Sequence, residues 1–313
     1  CMNIGLPQEL LYIDWIADLK LMLEQMNPEM VFIHVADGEA PAYLNLEEDS
    51  CFPFKKMIRN ALILHKEVDA LLLPRVIEMD GFLTCPNFRA FPDIVELNTK
   101  NISSNKKKPI ISPIIEIKND KELKALAETT AKELSRVLNF TSLPKQTAKT
   151  KNNQRQANLK GIDAQHQDLS KTIAIIGHPY VLADKRLNNG VPETLHAYGY
   201  DTVFSNNVPF EKLSKLAGSL YYFAKKMYWR SEREIIGAFF FFSHINRAAG
   251  IIHLAPFNCG IDALLRIELM SLHKKVEGAP PFMTIVRDEN TQRYHVVKRI
   301  EAFLDMIYGI RIN

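Results

Sequence analysis

The chain has 313 residues, of which 47% are hydrophobic and 24% charged. That balance supplies enough Leu, Ile, Val and Phe for a large core and excludes a generally disordered chain, and at roughly 100–200 residues per domain the length suits two domains. No run reaches the roughly 18 apolar residues of a membrane span, the most apolar window being Ile235–Phe242, so no membrane partner is expected. Cys1–Pro7 lacks the basic stretch and apolar segment of a secretory signal, which points to the cytoplasm.

The net charge of +3 is unevenly spread, with 15 Lys and Arg against 7 Asp and Glu in residues 100–171 and 24 against 29 elsewhere. A charge run of this kind is ordinarily a solvated helix or linker. No RNA-binding or helix-turn-helix signature accompanies it, so nucleic acid is not expected as a partner.

In chain order, Asn3–Leu6 reads as a strand ending at Pro7, and Leu10–Met26 follows with helical spacing of Leu11, Trp15, Ala17 and Leu21. Pro28 stops that helix, and Met30–Val35 is a compact strand. Phe54–His65 reads as a helix, Ala70–Pro74 as a buried strand, Ile110–Ile117 as one further strand, and Lys121–Leu138 as a helix. Residues 141–171 turn to Lys, Gln, Asn and Thr. A structureless loop of that length is uncommon inside one domain, which favours a linker or exposed polar helix here.

The pattern then restarts. Thr172–Ile176 is a strand closing on Gly177-His178-Pro179-Tyr180, Pro192–Tyr198 a helix, and Thr202–Ser205 a strand. Tyr228–Ser243 reads as a long helix, Gly250–Ala255 as a strand, Ile261–Lys274 as a helix, Phe282–Val286 as a strand and Val296–Tyr308 as the closing helix. Strands alternating with helices predict an α/β fold with mainly parallel sheets. The expected organisation is two Rossmann-like domains, 1–140 and 172–313, joined by 141–171, with a cleft between them.

Ligands collect at the carboxyl ends of strands in such sheets, and unusual residues fall there. Cys51, Cys85 and Cys259 are the internal members of four cysteines; Cys1, which precedes Met2, carries no assigned function. A cytosolic chain of this size does not use so few cysteines as a disulfide framework. Cys51-Phe52-Pro53 and Cys259-Gly260 each open a helix, where the positive dipole end favours thiolate, the form that binds metal. Each cysteine taken alone reads as an ordinary small buried residue. No Cys-x-x-Cys pair occurs, and spacing alone leaves the role of the three open.

Several segments are recognisable together. Cys51-Phe52-Pro53-x-Lys55, Leu73-Pro74-Arg75, Thr84-Cys85-Pro86, Tyr228-Trp229-Arg230, Phe257-Asn258-Cys259-Gly260-Ile261-Asp262 and Lys298–Asp305 occur in the order seen in the acyl-CoA dehydratase activase-related family, and the opening Ile4-Gly5-Leu6-Pro7 fits too. The chain resembles that family from about Asn3 to Tyr308. The family is related to the cluster-bearing subunits of 2-hydroxyacyl-CoA dehydratases. The resemblance implies a 4Fe–4S cluster held by Cys51, Cys85 and Cys259, with one iron left for water, substrate or another side chain, in the cleft between the domains. It also implies an electron received from an ATP-dependent activase, with an acyl-CoA or other small molecule as substrate. An enzyme of this kind would be a dehydratase-like lyase or a low-potential reductase component.

The chain departs from the family pattern at Ile261-Asp262-Ala263, where Pro-Asp-Ser is usual, at Asp288-Glu289-Asn290, where Asp-Glu-His is usual, and at Lys298-Arg299, where Thr-Arg is usual. The cysteines are spared, while a preserved reaction is put in doubt. No Gly-x-x-x-x-Gly-Lys-Ser/Thr phosphate loop is present, which places ATP hydrolysis on another domain or protein.

Candidate catalytic residues are His178, Lys55 and Asp262. His178 could ligate an open iron or donate a proton, against a helix-capping or hydrogen-bonding role. Lys55 could neutralise a cluster or bind an anion, against an exposed helical lysine. Asp184 and Asn188 could face the same site or cap the turn before Pro192. Phe239–Phe242 reads as core or a partner-facing patch, and Arg299 with Glu301 as an ion pair. Two other readings remain: a non-catalytic binding or scaffold module of a larger activase-type protein, and zinc held by the three cysteines and a histidine such as His178.

Overall fold

The computed structural model describes residues 2–35, 49–100, 108–139, 168–219 and 227–312. The expected linker lies almost wholly outside them, as does Cys1. The chain divides into two compact units, Cys1–Asn152 and Asn153–Asn313. The fold is α/β with mainly parallel sheets.

In the first unit β1 (Met2–Gly5) passes through a 3-10 turn (Gln8–Tyr12) into α1 (Asp14–Met26), β2 (Met30–Ile33), α2 (Phe52–Glu67) and β3 (Ala70–Leu72). β4 (Arg75–Met79) and β5 (Phe82–Leu83) form an antiparallel hairpin. Its two-residue turn, Asp80-Gly81, has φ values of 54° and 82°, the left-handed pair that matches the twist of flanking strands and that Asp-Gly adopts readily. Then follow α3 (Pro86–Thr99), β6 (Ile110–Ile111), β7 (Ile114–Ile117) and α4 (Asp120–Val137).

The main sheet of this unit runs β2-β1-β3-β6, all parallel. A smaller sheet runs β5-β4-β7. The single strand expected over Ile110–Ile117 is thus two: β6 extends the main sheet beside β3, and β7 leaves it to pair with β4. Pro113 sits at the switch, where its missing N–H is no loss to either ladder. α4 begins on Asn119, whose Oδ1 accepts from the amides of Lys121 and Glu122, while Glu122 accepts from the Lys118 amide. These bonds satisfy amides that a helix start otherwise leaves unpaired.

In the second unit β8 (Thr172–Gly177) is followed by α5 (Pro179–Ala183), α6 (Lys185–Asn188), α7 (Val191–Ala197), β9 (Asp201–Phe204) and α8 (Phe210–Ser219). α9 (Arg230–Phe240) continues into a π-helical turn, Phe241–Ile245, and is followed by β10 (Gly250–Pro256), α10 (Gly260–Lys275), β11 (Phe282–Arg287) and α11 (Arg293–Ile312). The sheet order is β11-β10-β8-β9, all parallel.

The chain runs from β8 to β9 on one side and then returns to place β10 on the other. The topological switch point therefore lies between β8 and β10, the place where open α/β sheets leave room for ligands. Every residue of these two strands is buried, which is why both read as nearly continuous apolar runs, Thr172 and His253 excepted. Gly177 ends β8 where a Cβ would stand 2.8 Å from the Leu254 carbonyl oxygen of β10. Only glycine allows that approach without moving a strand.

Phe239, Phe241 and Phe242 are core residues, Phe239 meeting Phe282 edge-on at 5.3 Å. Asp184 caps α6 through the amides of Arg186 and Leu187, and Asn188 bonds the Leu182 carbonyl and the Gly190 amide. The capping reading thus holds for both. The expected Arg299–Glu301 pair is not formed. Glu301 instead pairs with Lys298 at 2.8 Å and accepts from the Tyr198 hydroxyl, while Arg299 donates to the Thr284 carbonyl. Neighbours three apart meet on a helix face and neighbours two apart do not.

Candidate metal centre

All three internal cysteines occupy one kind of place. Cys51 is the N-cap of α2, Cys85 of α3 and Cys259 of α10. Proline follows at the first or second helical position after Cys51 and Cys85, where its fixed φ favours helix entry and its missing amide is not needed. Before Cys259, Asn258 has φ of 61°, a left-handed conformation that asparagine tolerates better than most residues. It turns the chain from β10 into α10. Cys51 and Cys259 are buried, Cys85 is half-buried, and none of the three forms a disulfide.

In the second unit Cys259 has close company. His178, directly after β8, places Nε2 3.7 Å from Cys259 Sγ and 2.9 Å from Asp262 Oδ2. Asp262 lies in the first turn of α10, and its Oδ1 is 3.1 Å from Nε2 of His253 on β10. Tyr180 stacks on the His178 ring, 5.2 Å between centroids. Cys259, His178, Asp262 and His253 are all buried, with His253 and Asp262 at 0% and 1% exposure. The switch point of the sheet thus carries one thiol, two imidazoles and one carboxylate away from solvent.

The electrostatics differ from the sequence expectation. A helix N-terminus alone would favour thiolate at Cys259. Burial, with the Asp262 carboxylate nearby, instead pushes the Cys259 thiol up against the opposing pull of His178. Burial alone would lower the His178 pKa, yet the Asp262 carboxylate and Cys259 outweigh it and hold the imidazole well above its usual value. Burial would likewise raise Asp262, but His178 and then His253 keep its carboxyl below the usual range. The carboxylate is the fixed charge of the group.

His178 and Asp262, expected as catalytic candidates, therefore meet Cys259. His178 stands at the N-cap of α5, but its side chain makes no capping bond there. His253 was missed by the sequence reading. Its signal is a lone polar residue inside the apolar run Ile251–Ala255, and a buried polar group demands a partner.

Cys51, Cys85 and Lys55 belong to the first unit. Lys55 is half-buried on α2, and its neighbour Lys56, unremarked in the sequence, is the buried one. Lys56 Nζ donates to Glu9 Oε1 at 2.8 Å, and Asn60 Nδ2 donates to the same oxygen at 2.7 Å. These contacts tie the turn after β1 to the helix that Cys51 opens. Arg75 does similar work for Cys85. Its guanidinium holds both Asp93 oxygens at 2.7 and 2.6 Å and also donates to the Arg89 carbonyl, so β4 is fixed to α3.

No described helix is long and apolar enough to cross a membrane. No curated protein matches the chain. A family profile described as the CoA enzyme activase uncharacterised domain matches residues 3–208, a span that includes Cys51, Cys85 and His178 and stops before His253, Cys259 and Asp262. The chain belongs to the CoA enzyme activase uncharacterised domain family.

Proposed function

We propose that the chain is an iron–sulfur redox component of an activase-type system, accepting an electron from an ATP-dependent activase. Cys51, Cys85 and Cys259 would hold a 4Fe–4S cluster, and an acyl-CoA or other small molecule would be the substrate. The observation that carries this reading is the shared position of the three cysteines, each at the N-cap of a helix of 14 residues or more. Such a position sets an anionic centre against the positive dipole end of a helix.

The donor set fits the group. Thiolates are the usual ligands of iron–sulfur clusters, and hydrogen bonds to sulfur, net charge and burial tune the potential. Burial of Cys259 suits a low-dielectric setting, and its raised thiol pKa means that ligation must release a proton. When bound, the cluster supplies one-electron transfer at low potential. The residues of the chain have the other tasks: holding the thiol positions on rigid helix starts and excluding water.

Anaerobic purification with iron and sulfide analysis of the parent and of Cys51→Ala, Cys85→Ala and Cys259→Ala tests the ligand set. About four irons and four sulfides per chain are expected in the parent, with loss in each variant. A full complement of iron and sulfide in Cys259→Ala would remove Cys259 from the set and with it the proposal.

A further inference from the structure

The group at the switch point of the second unit supports an inference that goes beyond the cluster and does not need it. The geometry points to a site for a single divalent transition ion of the zinc class, held by His178 Nε2, Cys259 Sγ and Asp262 Oδ2 in chains that carry no cluster. His253 is the residue that orients the carboxylate. The site lies wholly within Asn153–Asn313, whereas the cluster also needs Cys51 and Cys85. Both draw on Cys259, so one chain holds one or the other.

Three observations lead there. Spacing comes first. With bonds of about 2.3 Å to sulfur and about 2.0 Å to nitrogen, two donors on one tetrahedral ion stand roughly 3.5 Å apart. Cys259 Sγ and His178 Nε2 are 3.7 Å apart, His178 Nε2 and Asp262 Oδ2 2.9 Å, and the three donor atoms all lie within 4.8 Å of one another, so binding one ion needs small side-chain adjustments only. Ligands on different irons of a cubane radiate from its corners and stand farther apart, so this spacing suits one shared ion.

The second is an unmet acceptor. Asp262 Oδ2 is buried with no hydrogen-bond partner among the described residues, although His178 Nε2 is only 2.9 Å away. The two atoms approach without hydrogen-bond alignment, and His178 Nε2 faces Cys259 Sγ as well. The close buried neighbour of Asp262 Oδ2 is the His178 imidazole, an ion pair in which a metal cation bound to both groups would take over the compensation of the carboxylate charge.

Charge and support complete the case. One thiolate, one carboxylate and one neutral imidazole balance a divalent ion. Three protein ligands leave a fourth tetrahedral position, the arrangement of zinc sites that bind water or substrate. Asp262 Oδ1 bonds His253 Nε2 at 3.1 Å, the outer hydrogen bond by which ligating groups are commonly oriented. Mixed sulfur, nitrogen and oxygen donors favour zinc, cobalt or ferrous ions over magnesium or calcium, which take oxygen.

Cobalt(II) titration of the cluster-free full-length chain reads the site directly, through thiolate-to-cobalt charge transfer and the visible bands of tetrahedral coordination. The expected result is one cobalt per chain, displaced by zinc, with the spectrum retained in Cys51→Ala/Cys85→Ala. It should be lost in Cys259→Ser and in His178→Ala, and binding should weaken about 10- to 100-fold in His253→Gln. Asp262→Asn, nearly isosteric, guards against loss by misfolding. Its metal-free thermal transition should remain cooperative while cobalt binding falls at least tenfold. No binding by the folded parent, or charge transfer that survives Cys259→Ser, would overturn the inference. So would charge transfer that disappears in Cys51→Ala/Cys85→Ala. The cluster proposal fails separately, on iron and sulfide, and either result can occur without the other.

Discussion

Removing one member of the buried pair beside Cys51 measures how firmly the first unit holds that cysteine. The side chains of Lys56 and Glu9 are 1% and 3% exposed and meet at 2.8 Å. In Lys56→Met the ammonium disappears while the Glu9 carboxylate stays in the core with the Asn60 amide. Breaking a buried pair in this one-sided way typically costs about 3–5 kcal/mol, because the remaining charge loses its close counter-charge. Against a domain stability of about 5–15 kcal/mol, that is a large fraction. At a urea slope of about 2 kcal/mol/M, the unfolding midpoint should fall by about 1.5–2.5 M. The chain has two tryptophans, Trp15 in the first unit and Trp229 in the second. Fluorescence in a Trp229→Phe background therefore reports the first unit alone. Glu9→Gln/Lys56→Met should recover at least half of the loss, since a neutral amide can keep the Asn60 contact without a buried charge. A shift below about 0.5 M for Lys56→Met, or a double variant no better than the single one, would refute the reasoning.

Further outcomes follow from single contacts. Burial depresses the pKa of His65, against the Lys108 backbone, and burial likewise depresses His34, with the Leu6 carbonyl opposing. Between the lowered folded values and about 6.5, the unfolded state binds more protons, so stability rises with pH across that window and is lost as pH falls through it. Urea midpoints of the first unit should therefore be lower at pH 5.5 than at pH 7.5, and His65→Gln should shrink the difference; an unchanged difference counts against the assignment to His65. Gly177→Ala must accommodate a Cβ 2.8 Å from the Leu254 oxygen and should cost about 1–3 kcal/mol by overpacking, visible as a lower melting temperature. Arg75→Lys loses the two-pronged hold on a largely exposed Asp93, so its stability loss should stay within about 1 kcal/mol. A larger loss in denaturant titrations would mean that the bond to the Arg89 carbonyl dominates.

The elements legible in the sequence are those whose burial is simple. β3, β8 and β10 are buried throughout and read as apolar runs, interrupted only by Thr172 at the start of β8 and His253 within β10. α4 announces itself through Asn119 and Glu122 at its start. The hairpin β4–β5 was missed because its strands are short and only partly buried, and α3 because Pro92 inside it reads as a breaker. Helices α5 and α6 are five residues or fewer, too short for a helical period to show, whereas α7 was read over Pro192–Tyr198 and is found at Val191–Ala197.

The same contrast governs the site. Cys259, His178 and Asp262 were each visible as chemistry-bearing residues at strand ends. That His178 and Asp262 converge on Cys259 follows from the position of β10 beside β8, a pairing no local pattern encodes. The sign of the Cys259 shift was misjudged because a helix dipole can be read from sequence, whereas burial beside a carboxylate three residues on requires the packed helix. Glu9 and Lys56 are 47 positions apart, so their pairing too is a product of the fold. A local hint existed in Phe52, Lys56 and Asn60, which share one helical face with apolar neighbours.

The most direct test of the central claim is electron paramagnetic resonance of the anaerobically reconstituted chain before and after dithionite reduction. The account predicts a silent oxidised state and a reduced signal from a 4Fe–4S cluster, absent in Cys51→Ala, Cys85→Ala and Cys259→Ala. A folded chain that takes up neither iron nor sulfide and shows no signal under reduction would contradict it.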